Sequence, residues 1–117
     1  MSTTLLILND PPYGTERTYN GLRLAASLAK HEGEKVRVFL IGDAVSSAKR
    51  GQKVPQGYYN VEVMLRAVLK HRGEIGVCGS CMDARGLTDA EIEEGCHRSS
   101  MDELTAWTLS ASRTLVF

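Results

Sequence analysis

Several features typical of particular protein classes are scarce in this chain of 117 residues. Its 14 basic residues are balanced by 14 acidic ones, so it lacks the positive excess of a nucleic-acid-binding protein. No apolar run is long enough for a membrane-spanning helix, and the short aliphatic run near Met1 has neither the length nor the basic flank of a signal peptide. We therefore expect a cytoplasmic protein with no nucleic-acid and no membrane partner.

Cysteine is scarce as well, with three in the chain, an odd number that argues against a disulfide framework. A chain of this length buries roughly two-thirds of its unfolded surface, so its core needs no metal or disulfide staple. We expect a single domain over residues 1–117 without a cofactor. In a reducing compartment, a close pair of cysteines is more often reactive or metal-binding than structural.

Short apolar runs alternate along the chain with segments of helical periodicity. The runs that predict strands are Thr4–Asn9, Lys35–Ile41, Glu74–Cys78, Cys96–His97 and Thr114–Phe117. Helices are predicted after Thr15, over Tyr59–His71 and over Met101–Ala111, the last capped by Ser99 or Ser100. This alternation predicts a flavodoxin-like three-layer α/β fold: a mostly parallel five-stranded sheet, order 2-1-3-4-5, with helices on both faces.

The predicted strand order also predicts the place of a site. Ligands of open parallel sheets bind beyond the carboxyl ends of the strands, where the strand order reverses. In the order 2-1-3-4-5 this point lies between strands one and three, so their exit loops should lie side by side. The exit of the first strand supplies candidate binding residues: Asn9, Asp10, Pro11, Tyr13 and Gly14.

The exit of the third strand carries the motif VCGSCMDARG, with Cys78 and Cys81 three residues apart. Cys78 falls on a strand-to-helix turn, where unpaired backbone N–H groups and the helix dipole favour an anion. We therefore expect its thiol pKa to lie below the free value of about 8.5. Gly79 lets backbone amides come close, Ser80 adds a hydroxyl donor and Arg85 adds positive charge. The pattern is typical of a nucleophilic sulfur.

Other roles for the cysteines are weaker or stay open. Zinc would want four ligands, and Cys78, Cys81, Cys96 and His97 supply that number, but the adjacency of the last two makes joint ligation awkward. We therefore expect no metal, and Cys96 by itself is best explained as a buried, inert thiol. A thioredoxin fold is disfavoured because no proline follows the pair, although dithiol redox chemistry remains open.

Three longer segments carry a family resemblance: NDPPYGTERTYNGLRLA, CGSCMDARGL and HRSSMDELTAWTL. Together they resemble the DsrE/DsrF-like family, in its YchN-like branch, over nearly the whole chain. The resemblance implies a small α/β domain that assembles into homotrimers or homohexamers. It also implies a sulfur-relay relationship, in which relatives carry sulfur as a cysteine persulfide and pass it to a partner protein. Cys78 matches the sulfur-bearing position, followed by the matching Arg85–Gly86 pair.

Cys81 departs from the family pattern, since relay members often have a small apolar residue there. A second thiol could attack a Cys78 persulfide, release sulfide and leave a disulfide. The leading hypothesis is a sulfurtransferase or sulfur carrier in which Cys78 accepts sulfane sulfur, Cys81 resolves it, and a donor or acceptor protein is the partner. The alternatives are a dithiol redox protein and an oligomeric module that binds a small anion or a partner.

Overall fold

The structure, a computed structural model, describes residues 1–117 as alternating strands and helices. The strands are β1 (Ser2–Leu8), β2 (Glu34–Leu40), β3 (Glu74–Cys78), β4 (Cys96–Ser99) and β5 (Arg113–Val116). The α-helices are α1 (Arg17–Ala29), α2 (Val61–Lys70), α3 (Gly79–Ala84) and α4 (Met101–Ser110). Two 3-10 segments, Gly42–Ala48 and Asp89–Glu91, complete the set. All five predicted strands are present, including the short one at Cys96.

The five strands form one parallel sheet, which confirms the predicted α/β fold. The strand order, however, is β4-β3-β2-β1-β5 and differs from the predicted 2-1-3-4-5. The predicted order leaves the second strand at an edge of the sheet. Val38, Phe39 and Leu40 of β2 are fully buried, and a strand covered on both faces needs an inner position. The more polar strands β4 and β5 take the two edges instead.

This order determines which face each helix covers. The strands β1, β2, β3 and β4 lie side by side in chain order, so the three connections between them all run in the same direction across the sheet. The connection through α4 runs back in the other direction and places β5 beside β1. Right-handed crossovers in one direction leave their helices on one face. Accordingly α1 and α2 pack together on one face, and α4 covers the other.

Apolar side chains join the layers. On the α1–α2 face, Leu22 and Leu65 are fully buried against the sheet. On the other face Trp107 of α4 meets Phe39 of β2 edge to face, with 6.3 Å between the ring centroids. Burying a side chain of this size stabilises the fold by about 1.5–3 kcal/mol. None of the helices combines the length and the apolar character needed to cross a bilayer.

The helix ends show where the local predictions succeed and where they miss. Ser100 caps α4 and accepts a hydrogen bond from the Glu103 N–H at 3.3 Å, as one of the two predicted caps. At the end of α2, the residue with positive φ is Arg72, at 67°, and not the predicted cap Gly73. Position 73 has no room for a side chain, because a Cβ on Gly73 would lie 2.5 Å from Val68 Cγ1.

Candidate functional site

β3 and β4 are neighbouring strands from which the chain turns to opposite faces of the sheet. The chain leaves β3 into α3 on the α1–α2 face and leaves β4 towards α4 on the opposite face. Cys78, the last residue of β3, pairs in register with Ser99, the last residue of β4. Diverging exits leave a crevice beyond the strand ends, which is the usual place for a site in a parallel sheet.

A cavity of about 350 Å³ occupies this crevice. It is open to solvent on one side and has the Cys78 turn on one wall and the start of α4 on the other. Its lining residues are Phe39, Cys78, Gly79, Ser80, Asp83, Arg98, Ser99, Ser100 and Met101. Three of the predicted site residues are therefore together at this cavity: Cys78, Gly79 and Ser80.

The expectation that the exit loops of β1 and β3 lie side by side is wrong, because β2 separates these strands. The exit of β2 occupies the place beside the cysteines. The backbone N–H of Gly42 contacts Cys81 Sγ at 3.2 Å, and Asp43 accepts a hydrogen bond from Arg85 at 2.7 Å. Arg85 also donates to the Cys81 carbonyl oxygen at 3.0 Å, so it braces the α3 segment while its charge is balanced by Asp43.

The candidate binding residues at the β1 exit lie in a different environment, and none of them lines the Cys78 cavity. The Asn9 amide donates to the carbonyl oxygen of the carboxyl-terminal Phe117 at 3.1 Å. Asp10 accepts a hydrogen bond from the Thr15 hydroxyl at 2.9 Å, in place of the predicted role of Thr15 as a helix cap. Pro11 continues this turn, which is partly buried.

Tyr13 and Gly14 complete the β1 exit. The Tyr13 hydroxyl donates to Gln52 Oε1 at 2.6 Å and accepts from the Val61 N–H at 3.1 Å, so it holds the start of α2. The Tyr13 ring stacks on Tyr59 with 5.7 Å between the centroids. Gly14 has φ 104°, a value that favours glycine, and its Cα faces open space.

The Cys78 thiol has the environment of an activated sulfur. It is 7% exposed and occupies the N-cap position of α3, with the Ser80 hydroxyl 3.4 Å from its sulfur. Burial opposes its ionisation, but the polar groups beside it, namely the Cys81 thiol, the Ser80 hydroxyl and the N–H groups of both residues, outweigh burial. The net effect lowers the pKa of Cys78 below its ordinary value.

Cys81 is shifted in the opposite direction. Burial raises its pKa, its hydrogen bond to Cys78 raises it further, and the Gly42 N–H offsets only part of this. Of the two thiols, Cys78 therefore ionises more readily and Cys81 holds its proton more tightly. The roles expected from the sequence, Cys78 as the sulfur acceptor and Cys81 as the resolving thiol, stay predictions.

Gly79 serves a purpose that sequence reasoning did not identify. A Cβ at Gly79 would lie 2.8 Å from Arg98 Nε, so the glycine lets the guanidinium cross directly over the turn next to Cys78. Arg98 is held there by Asp83 at 2.7 Å and by Asp89 at 3.2 Å. It forms a wall of the cavity with its charge already paired.

The β4 side of the cavity was missed because it depends on strand neighbours. Ser99 and Ser100 were considered only as helix caps, and Arg98 was not singled out. The sequence contains a usable signal, because a strand is predicted at Cys96–His97 beside the third strand. The residues that follow this strand must leave the sheet next to Cys78. Side chains two residues apart on a strand share a face, so Ser99 lies on the same face as His97.

The third thiol lies apart from this chemistry. Burial raises the pKa of Cys96 to about 12, and the negative charge of Glu93 adds to the effect. All three cysteines are free, and no group of three or more His, Cys, Asp or Glu side chains converges on a point where a metal could bind. The four candidate zinc ligands considered from the sequence are thus not brought together.

The fold and the site define a class: a small layered α/β protein with a cysteine of lowered thiol pKa in a crevice at the carboxyl end of its parallel sheet. Within that class the chain belongs to the DsrE/DsrF-like family, whose model matches residues 3–117. It is similar to the protein YchN of Escherichia coli K12, with 36% identity over 118 aligned positions and full coverage of both chains. An uncharacterized protein of Methanopyrus kandleri is 35% identical over 112 residues, covering 96% of this chain and 91% of its own.

Solved structures agree with this assignment. The crystal structure of the Escherichia coli YchN protein matches with a TM-score of 0.94 at 36% identity, covering all of both chains. A protein of unknown function from Methanobacterium thermoautotrophicum matches with a TM-score of 0.75 at 11% identity, again over both complete chains. At that identity the likeness concerns the fold alone.

Proposed function

We propose that this protein handles sulfane sulfur, with Cys78 accepting a sulfur atom as a persulfide and passing it on. The observation that carries the proposal is the position of the Cys78 sulfur. It lies at the wall of an open cavity of about 350 Å³, on a strand-to-helix turn and beside a second thiol. Membership of the DsrE/DsrF-like family, which is related to sulfur relay, supports the same chemistry.

Loading begins with the Cys78 thiolate. Its sulfur attacks the terminal sulfur of a donor persulfide or polysulfide and forms a new S–S bond, while the donor's own S–S bond breaks and its remaining sulfur leaves as a thiolate. The lowered pKa makes the thiolate of Cys78 more available than that of an ordinary cysteine. The cavity leaves room for the donor on the side away from Cys81.

Cys81 supplies the second step. Its thiol attacks Cys78 Sγ, the persulfide S–S bond breaks, the outer sulfur leaves as HS⁻ with the Cys81 proton, and a Cys78–Cys81 disulfide remains. A cellular thiol reductant, in the proposed cytoplasmic setting, then reduces that disulfide. For this attack Cys81 Sγ must leave its 3.2 Å contact with the Gly42 N–H, which delays release after loading.

Self-assembly is part of the proposal. The outer surface of α4 exposes Met101 and Leu109 at 61% and 83%, around a shallow groove of about 260 Å³. An apolar surface of this kind fits contact with further copies of the chain in a homotrimer or homohexamer. Sedimentation of the purified chain reports the oligomer directly, and a monomer at micromolar concentration would contradict this part.

The proposal is tested by the intact mass of the reduced protein after incubation with inorganic polysulfide. The expected result is a gain of about one sulfur atom, ~32 Da, that disappears in Cys78→Ser and persists longer in Cys81→Ser. The Cys96→Ala variant is the matched control and should load normally. Normal loading of Cys78→Ser would overturn the assignment.

A dithiol switch is the second candidate, favoured by the mutual influence of the two neighbouring thiols, which lowers the pKa of Cys78 and raises that of Cys81. In that case polysulfide or a mild oxidant produces a loss of about two hydrogens, ~2 Da, in place of the sulfur gain. No mass change in any variant would instead favour a module that binds a small anion or a partner in the same cavity.

A further inference from the structure

A chain of hydrogen bonds leads from the wall opposite Cys78 to solvent. The Ser99 hydroxyl donates to Glu103 Oε1 at 2.5 Å, and the same oxygen is hydrogen-bonded to His97 Nε2. Ser99 lines the cavity, and its in-register pairing with Cys78 puts both side chains on the same face of the sheet. The His97 side chain is 41% exposed, so the chain ends in contact with water.

A glycine in β3 creates the space for this arrangement. A Cβ at Gly76 would lie 3.2 Å from Ser99 Cβ and 3.3 Å from Phe39 Cδ2, tighter than side chains normally approach. The absence of that side chain lets Ser99 lie over β3 beside the cavity. The hydroxyl is thereby placed within hydrogen-bonding distance of Glu103, on the strand beside Cys78.

Glu103 is ionised and accepts the hydrogen bond of the Ser99 hydroxyl. Burial opposes ionisation of its carboxyl group, but the hydrogen bonds with Ser99 and His97 outweigh burial and hold its pKa below the ordinary value. The group is therefore a carboxylate at neutral pH. The edge of the Trp107 indole, with its centroid 5.8 Å from that of the His97 ring, fixes the imidazole at the end of the chain.

The other charged groups around Glu103 leave this assignment intact. Glu74 of β3 acts against its ionisation only as the weakest influence, and Glu74 is itself paired with Lys35 at 3.0 Å and Arg37 at 3.4 Å. On its own helix the neighbouring Asp102 is exposed to solvent. Asp83 also lines the cavity, but it is paired with Arg98 at 2.7 Å, so Glu103 is the carboxylate that is hydrogen-bonded to Ser99.

We propose that Ser99, with Glu103 and His97 acting through it, removes the proton from a thiol that enters the cavity to collect sulfur from Cys78. This inference rests on the proposed function and adds to it the class of acceptor, a thiol in its protonated form, and the residues that activate it. Ser99 is the catalytic residue because it touches the acceptor, while Glu103 and His97 are positioning residues.

The step balances without any oxidant or reductant. The acceptor R–SH gives its proton to the Ser99 oxygen as the Ser99 proton moves to Glu103. The acceptor sulfur bonds to the outer sulfur of the protonated Cys78 persulfide, and the electron pair of the broken S–S bond remains on Cys78 as a thiolate. The products are R–S–SH, the Cys78 thiolate and a proton on Glu103, which His97 can pass to water.

The test measures sulfur transfer from the loaded protein to 2-mercaptoethanol. All variants carry Cys81→Ser so that the resolving thiol does not compete. After loading with polysulfide and removal of the excess, the loss of the ~32 Da increment is followed by intact mass at several pH values. Ser99→Ala and Glu103→Gln should each slow transfer by about 10-fold to 100-fold at neutral pH.

The pH profile separates proton transfer from a structural role. In both variants the rate should keep rising with pH as the probe thiol ionises unaided, so that the difference from the parent disappears at high pH. Asp102→Asn removes one negative charge from the same helical turn and should transfer at the parent rate. If Glu103→Gln changes the circular dichroism spectrum, Ser99→Ala decides the question.

Two results would overturn this inference, and they differ from each other. Normal loading with unchanged transfer rates and pH profiles in Ser99→Ala removes the role of the hydrogen-bonded chain but leaves the persulfide proposal in place. Failure of the parent protein to load removes the proposed function itself, and this inference with it.

Discussion

The crevice between β3 and β4 and the exit of β1 lie at the same edge of one sheet, yet they differ in what their polar groups do. At the β1 exit the Tyr13 hydroxyl is used twice within the fold, and its ring is stacked on Tyr59. In the crevice, Cys78 and Ser99 face an open cavity. Position at the carboxyl end of a strand is therefore not enough to make a site.

The difference follows from the direction of the exits. The chain leaves β1 and β2 towards the same face, so each exit packs against the next and its polar groups find partners. The exits of β3 and β4 turn to opposite faces and cannot fill the space between them. A cavity remains, lined by Cys78 and Ser99.

The largest expected effect is in the reactivity of the three thiols towards iodoacetamide. Cys78 should be alkylated with a pH midpoint below the free-thiol value of about 8.5, because its pKa is lowered, whereas Cys96, with a pKa of about 12, should resist in the folded protein. We expect a rate difference above about 100-fold at neutral pH, measured by peptide mass after timed labelling.

The same shift has a defined sign for stability. Because the folded pKa of Cys78 is lower than the unfolded one, its contribution to stability is present above the unfolded value and is lost as pH falls through the folded pKa. Equal labelling rates for Cys78 and Cys96 would remove the contrast between a thiol of lowered pKa and one of raised pKa.

A middle-sized effect is expected from a pair of glycine substitutions, one in each region. In Gly79→Ala the new Cβ meets Arg98 Nε at 2.8 Å and the Ser99 carbonyl oxygen at 3.1 Å, which pushes the guanidinium towards the cavity. Sulfur loading should slow by about 10-fold, and the free energy of unfolding should fall by about 1–2 kcal/mol.

Gly14→Ala is the matched control at the β1 exit. Its φ of 104° strains any side chain, although nothing lies within 4 Å of the new Cβ, so a similar loss of about 1–2 kcal/mol is expected. Loading should be unchanged, measured by intact mass against time. Equal slowing in both variants would mean that stability, not the geometry of the crevice, limits loading.

The smallest effect on sulfur chemistry is expected for Tyr13→Phe. Loss of the hydroxyl leaves the Val61 N–H and Gln52 without this partner and should lower the free energy of unfolding by about 1–3 kcal/mol, measured by urea denaturation. The loading rate of Cys78 should remain that of the parent. A tenfold loss of loading would show that the β1 exit takes part in the site after all.

Much of this arrangement could be predicted from local patterns. The five strands, the cap at Ser100 and the position of Cys78 at a strand-to-helix turn follow from short-range rules of periodicity and capping. A lowered pKa of Cys78 was predicted from its place at the start of a helix, and the direction of its shift is the predicted one. Arg85 was expected to add positive charge, and its charge acts to lower the pKa of Cys81, as the weakest of the influences on that thiol, while Asp43 from the β2 exit pairs with it.

The local environment of Cys78 could therefore be predicted from the sequence, because a cysteine between a strand and a helix lies next to unpaired N–H groups. This holds whatever the position of the strand in the sheet. The neighbours across the cavity were decided by the fold. Arg98 and Ser99 share a cavity with Cys78 because β4 pairs with β3, and Glu103 reaches Ser99 from α4. Strand order depends on which strands must be buried on both faces, and that is a property of the whole core, not of any one segment.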